Sequence, residues 1–267
     1  MSSLESKTNM FDPHWVTKYS EIKNQFKTGD IILVHGKYPF SWLIEILQGS
    51  NWGHSAMIVL AKDLDPEGKL NLPEVMIWES NVLMEGSAKN LWGNNQSYKQ
   101  GPMLVSLEKR LNHTQANYKN VQIAYRPIYL QSALPAHLLP ALFDRVIDNE
   151  FPSDREIISS IFLGRTQNRM TRNAEEIVNL DINFEKGTLN LISFNTNNFL
   201  NELSNVDIDK DKIYCSELVA MTYKALGLLT QNHVSNAYAP KDFSKEGSTR
   251  LIGKAWLGSE MFIDMTL

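Results

Sequence analysis

The chain has 267 residues, 43% hydrophobic and 21% charged, which fits one substantial domain that can bury roughly 70 to 75% of its unfolded surface with no metal or disulfide to hold it. A formal charge of −4 with scattered basic residues excludes the basic stripe of a nucleic-acid-binding surface. One cysteine excludes an intramolecular disulfide, and no apolar run approaches the ~18 residues of a membrane-spanning helix. Met1 to Met10 is polar, without the apolar centre of a secretory signal. The chain is therefore expected to be soluble and cytoplasmic as encoded, with export by a route that needs no such signal left open.

Asp12-Pro13 reads as an N-cap followed by proline at the first helical position, and Trp15, Tyr19, Ile22 and Phe26 share one helical face. This predicts a leader helix within residues 1–28. Gly29-Asp30 then turns into a strand, Ile31 to Val34, with Asp30 read as a turn residue rather than an acid in the chemistry. Ser41 is placed to cap a short helix, Trp42 to Gln48. His54 to Leu60 is apolar enough for a buried strand, and Glu74 to Ser80 follows it after the turn signal Asp65-Pro66-Glu67-Gly68. These two strands read as an antiparallel hairpin. If it is symmetric about its loop, Val59 faces Glu74 and His54 lies directly opposite Glu79, and cross-strand neighbours stand ~4.5 to 5.5 Å apart at Cβ. Leu104 to Leu107 and Val121 to Tyr125 add strands, giving an antiparallel sheet of four or more. Pro135 to Asn149 reads as a helix with Leu138, Leu139, Leu142, Val146 and Ile147 inward, and shorter helices are expected at Arg155 to Phe162, Thr171 to Leu180 and Thr196 to Leu203. In the helix Glu217 to Leu229, residues Leu218, Val219, Thr222, Ala225, Leu226 and Leu229 share a face and Gly227 is placed to end it.

The lone thiol, Cys215, sits where strand-like Lys212-Ile213-Tyr214 gives way to that last helix. A thiol with a pKa of ~8.5 is only a few per cent ionised at neutrality, and the thiolate is the nucleophile. Lowering that pKa by two or three units takes roughly 3 to 4 kcal/mol, whereas a helix N-terminus supplies ~0.3 to 1 and at best ~2. A cation must supply the rest, and His54 at the mouth of its strand is the candidate, with Glu79 to orient it. Each residue has a plainer reading: a buried structural cysteine, a strand-end histidine, a solvated carboxylate. His35 is the rival base, on a loop that suggests the rim of a pocket. Three mixed ligands could also bind zinc, but Cys215, His54 and Glu79 lack the close pairs of secure zinc motifs, so neither metal nor cofactor is expected.

Several blocks in order carry a resemblance: Gly29-Asp30-Ile31-Ile32-Leu33-Val34, Ser41-Trp42-Leu43-Ile44, and Gly49-Ser50-Asn51-Trp52-Gly53-His54-Ser55-Ala56-Met57-Ile58-Val59. They continue through Ile77-Trp78-Glu79-Ser80, Gly101 to Leu107, Tyr214-Cys215-Ser216-Glu217-Leu218-Val219, Tyr223 to Leu229 and Ala239-Pro240-Lys241-Asp242-Phe243. Over residues 28–130 and 211–245 the chain resembles the circularly permuted papain-fold cysteine hydrolases, the YiiX/YebB-like branch of the NlpC-type superfamily. The resemblance implies an α+β, permuted papain-like (NlpC-type) single domain across 1–267, its antiparallel sheet packed against the helix that carries the nucleophile. It implies Cys215 as nucleophile, His54 as base and Glu79 as third member, in agreement with the spacing. The Asn-rich stretch 151–210 has no counterpart and is expected to be a helical insertion. The expected activity is hydrolysis of a peptide or isopeptide amide through an acyl-enzyme, on a small peptide-like or lipid-like acyl substrate. A thiol acyltransferase or lipid ester hydrolase is the alternative, and a binding module with a vestigial triad is a third.

Overall fold

Strands that are apolar on both faces must be covered on both faces, and the two central strands of this protein are of that kind. In the computed structural model the described residues are 16–36, 45, 49–82, 89–93, 100–118, 120–170, 181–183, 188–190, 211–247 and 249–265. In chain order they form β1 (Val16–Lys18), α1 (Tyr19–Ile22), β2 (Ile31–His35), β3 (His54–Leu60), α2 (Ala61–Leu64), β4 (Val75–Val82), β5 (Gln100–Ser106), α3 (Leu107–Asn117), β6 (Gln122–Arg126), β7 (Ile128–Tyr129), α4 (Leu139–Val146) and α5 (Asp154–Met170). The short strands β8 (Asp181–Asn183) and β9 (Thr188–Asn190) follow, then α6 (Cys215–Ala225), β10 (Trp256–Leu257) and β11 (Met261–Asp264).

Seven strands make one sheet in the order β1-β11-β6-β2-β3-β4-β5. All its neighbours are antiparallel except β1 and β11, which run parallel. The protein is thus α+β with a mostly antiparallel mixed sheet. Ile31, Leu33, Met57, Val59, Met76 and Trp78 point to one face and pack with Leu218, Val219 and Tyr223 of α6 and with Phe143 of α4. Ile32, Val34, Ala56, Ile58 and Ile77 point to the other, where Tyr19, Ile22, Leu107 and Leu111 cover them. Asp30 keeps its turn role. Its carboxylate accepts from the Lys27 and Ile128 amides (2.7 and 2.8 Å) and the Tyr125 hydroxyl (2.9 Å), fastening the start of β2 to β6 and β7.

Several expectations change. The leader is not one helix over its described part: β1 pairs with β11, and then one α-turn (Tyr19–Ile22) and one 3₁₀ turn (Lys23–Gln25) follow. Tyr19, Ile22 and Phe26 are nevertheless all buried together, so the apolar face was read correctly and its backbone was not. The β3–β4 hairpin pairs Leu60 with Val75 and Met57 with Trp78, two residues away from the symmetric register. Leu107 opens α3 instead of closing a strand, with Ser106 accepting from the Lys109 amide as its cap (3.5 Å). Pro135 to Asn149 divides into a 3₁₀ turn (Ala136–Leu138) and α4, while α5 runs on past Phe162 to Met170. The predicted helices at Thr171 to Leu180 and Thr196 to Leu203, and all of Trp42 to Gln48 but Glu45, lie outside the described residues.

Candidate active site

The two-residue shift in the hairpin is even, so it leaves His54 and Glu79 on the same face; an odd slip would have separated them. Continuing the observed pairing sets Ala56 opposite Glu79, and His54 reaches Glu79 on the diagonal. His54 Nε2 lies 2.7 Å from Glu79 Oε2, with both side chains buried. The Asn81 side chain donates to the same oxygen at 3.2 Å.

Cys215 is the first residue of α6, on the opposite face of the sheet from Glu79. His54 joins the layers because it is the first residue of its strand, at the sheet's end, where an imidazole can reach around the edge. The ring and the thiol face each other closely enough that each shifts the other's pKa by its charge and by hydrogen bonding. Since Nε2 is engaged by Glu79, the nitrogen that faces sulfur is Nδ1. The sulfur also takes amide hydrogen bonds from Ser55 and from Ser216, the latter one of the orphan amides of the helix start. The three sequence-predicted residues are therefore brought together as a relay with the imidazole in the middle, not as three donors converging on one point.

The electrostatics follow from burial and neighbours. Burial pushes the Cys215 thiol up, but the His54 charge and hydrogen bond outweigh it, and the thiol is held below its ordinary value. Burial pushes His54 down, and the Cys215 and Glu79 charges reverse that, holding it up at about 9. Burial pushes Glu79 up, and the Arg110 guanidinium with His54 brings it to about 2. All three directions favour thiolate, imidazolium and carboxylate at neutrality.

Two contributions were not foreseen. Arg110 of α3 is buried and donates Nε–H to Glu79 Oε1 at 2.6 Å, while its Nη1 donates to Thr114 at 2.6 Å. The one signal that could have found it is Ser106 as a cap with Leu107 and Leu111 one turn apart, which makes Arg110 a helical neighbour of the sheet. The second is the set of clamps around the nucleophile. Ser80 on β4 donates its hydroxyl to the Ile213 carbonyl, Tyr214 to that of Asn236, and Ser216 to that of Tyr238 at 2.9 Å. Farther along α6, Trp78 donates to Thr222 (3.1 Å) and Tyr223 to Gly29 O (2.5 Å), fixing the helix on the sheet.

His35, the rival base, ends β2 with Nδ1 2.9 Å from Glu45 Oε1. That hydrogen bond, against burial, raises its pKa. Its ring is committed to Glu45, and His54 is the histidine that meets the thiol. No family model matches this chain, and no curated protein matches it.

Proposed function

We propose that this protein is a cysteine hydrolase of the circularly permuted papain-like kind, in the YiiX/YebB-like branch of the NlpC-type superfamily, that cleaves a peptide or isopeptide amide. The observation that carries the reading is the buried Cys215–His54–Glu79 relay, with sulfur at a helix start and the imidazole 2.7 Å from its carboxylate. The chain order supports it too, since the histidine and glutamate strands come first and the nucleophile helix comes late, the reverse of the papain order.

In this reading the Cys215 thiolate adds to the carbonyl carbon, and the oxyanion is met by the outward amide of Cys215 at the start of α6. The tetrahedral adduct collapses as His54 delivers its proton to the leaving nitrogen, breaking the C–N bond and leaving a thioester. His54, now neutral, takes a proton from water, which adds to the thioester and releases the acid. Glu79 keeps the ring oriented and its charged form favoured throughout.

The test is labelling with a panel of acyl electrophiles, amide-like and lipid-like, followed by mapping of the adduct. The reading predicts an adduct on Cys215, favouring amide-like probes and lost in both Cys215→Ala and His54→Ala. Preference for lipid-like probes would establish the ester hydrolase or acyltransferase instead, and no adduct on Cys215 would leave a binding module.

A further inference from the structure

At the end of the sheet away from Cys215, β7 and β10 pair as a short ribbon, Ile128 with Leu257 and Tyr129 with Trp256. The ribbon has an inner and an outer side. Ile128 is buried in the core, whereas Tyr129 and Trp256 are 43% and 52% exposed and stack on each other at 5.3 Å between ring centroids. One turn back along the chain, Ile252 is 45% exposed. Between them the backbone reverses at Gly253 and Lys254, with φ of +67° and +58°. Arg250 and Lys254 are both exposed on this loop.

The segments that build this surface carry no acid themselves, and exposed acids stand to its sides, Glu246 beside Glu260 and Glu67 in the turn after α2, the helix that packs on the Ala136–Leu138 turn. Residues 127–138, 224–240 and 249–259 contain no Asp or Glu, in a chain whose 30 acidic residues outnumber its 26 basic ones. The three segments adjoin, since the Ile252 amide donates to Leu228 O at 2.9 Å and the Gly258 amide to Pro127 O at 2.8 Å. Glu260, the acid that follows in the chain, accepts from the Lys245 amide at 2.6 Å.

We propose that this loop and ribbon form a peripheral docking surface for an anionic lipid bilayer. Stacked Trp and Tyr rings suit the headgroup layer, being apolar in body and polar at the tip. Arg250 and Lys254 would reach anionic headgroups while their stems lie along the apolar contact. A projecting turn with three apolar side chains is small for a protein interface, which takes roughly 20 residues a side. α6 spans 11 residues from Cys215 to Ala225, about 16 Å at the helical rise, and Tyr223 near its far end meets Gly29 at the start of β2. Docking at this pole therefore leaves the thiol facing away from the bilayer. The proposal stands apart from the catalytic reading, because it uses none of the same residues.

The experiment is co-sedimentation of the full chain with phosphatidylcholine vesicles, with and without phosphatidylserine. Wild type sediments with the anionic vesicles and stays behind with the neutral ones. Arg250→Glu with Lys254→Glu lowers the bound fraction about tenfold or more, and Trp256→Ser lowers it as well, with iodoacetamide labelling of Cys215 unchanged in both. Should Trp256→Ser not fold, the exposed Lys254→Glu alone carries the comparison. Wild type that ignores anionic vesicles, or variants that sediment as wild type does, would overturn the proposal. So would self-association abolished by Trp256→Ser in a protein that binds no vesicles.

Discussion

Glu79 stands between two cations, giving Oε2 to His54 and Oε1 to Arg110 at 2.7 and 2.6 Å. A buried carboxylate is costly unless it is paired, and the two partners are what keep it charged. The Cys215–His54 pair titrates as a unit, and a raised His54 pKa means that the proton is lost only on the alkaline side, near 9. A profile of kcat/KM against pH should therefore have its falling limb near 9. In Glu79→Gln that limb should move to lower pH, with kcat/KM down by ~10²- to 10⁴-fold. Arg110→Met strands Glu79 without its guanidinium and should cost ~3 to 5 kcal/mol in urea unfolding, part of which Glu79→Gln should restore in the double variant. Cys215, His54 and Glu79 were legible in sequence, because a lone thiol at a strand-to-helix junction needs a cation and the hairpin supplies one. Arg110 was not, because an arginine on a helix with few apolar residues reads as a solvated charge until the helix is seen against the sheet.

At the scale of elements, β3 was legible to the residue because the six positions after His54 are all apolar or small, whereas α3 was hidden by only two core leucines a turn apart. The hairpin register missed by two because α2 begins directly after Leu60 while the return to Val75 runs through turns with no helix, so the loop is not symmetric about the turn signal. The edge strand β1, its neighbour β11 and the ribbon β7–β10 have two to four residues each, too short for alternation to show. Gly227, placed by sequence at the end of α6, has φ +70° with open space around its missing Cβ. Gly227→Ala should then cost only the backbone term, ~1 kcal/mol by thermal unfolding. Gly101 has φ +123°, and a Cβ there would lie 2.3 Å from Asn149 O. Gly101→Ala adds that backbone clash to its strain and should cost at least about twice as much.

For the whole molecule, the site is a product of layering: Glu79 and Arg110 belong to one side of the sheet, Cys215 to the other, and His54 meets both only at the strand's end. No local segment contains the relay, so stability and reactivity are coupled through the fold. The depressed pKa of Glu79, about 2 against an ordinary 4.5, contributes stability that is present above about 4.5 and lost as pH falls through about 2. Urea midpoints should accordingly fall across that acid window in wild type and fall less in Glu79→Gln. The central claim is that sulfur and imidazole are an ion pair at neutrality, and with a single cysteine in the chain the ultraviolet absorbance of thiolate reads it directly, using Cys215→Ala as the blank. The account predicts thiolate already present at about pH 6 in wild type and appearing only above about pH 8 in His54→Ala; a thiol that ionises only above about pH 8 in both would contradict it.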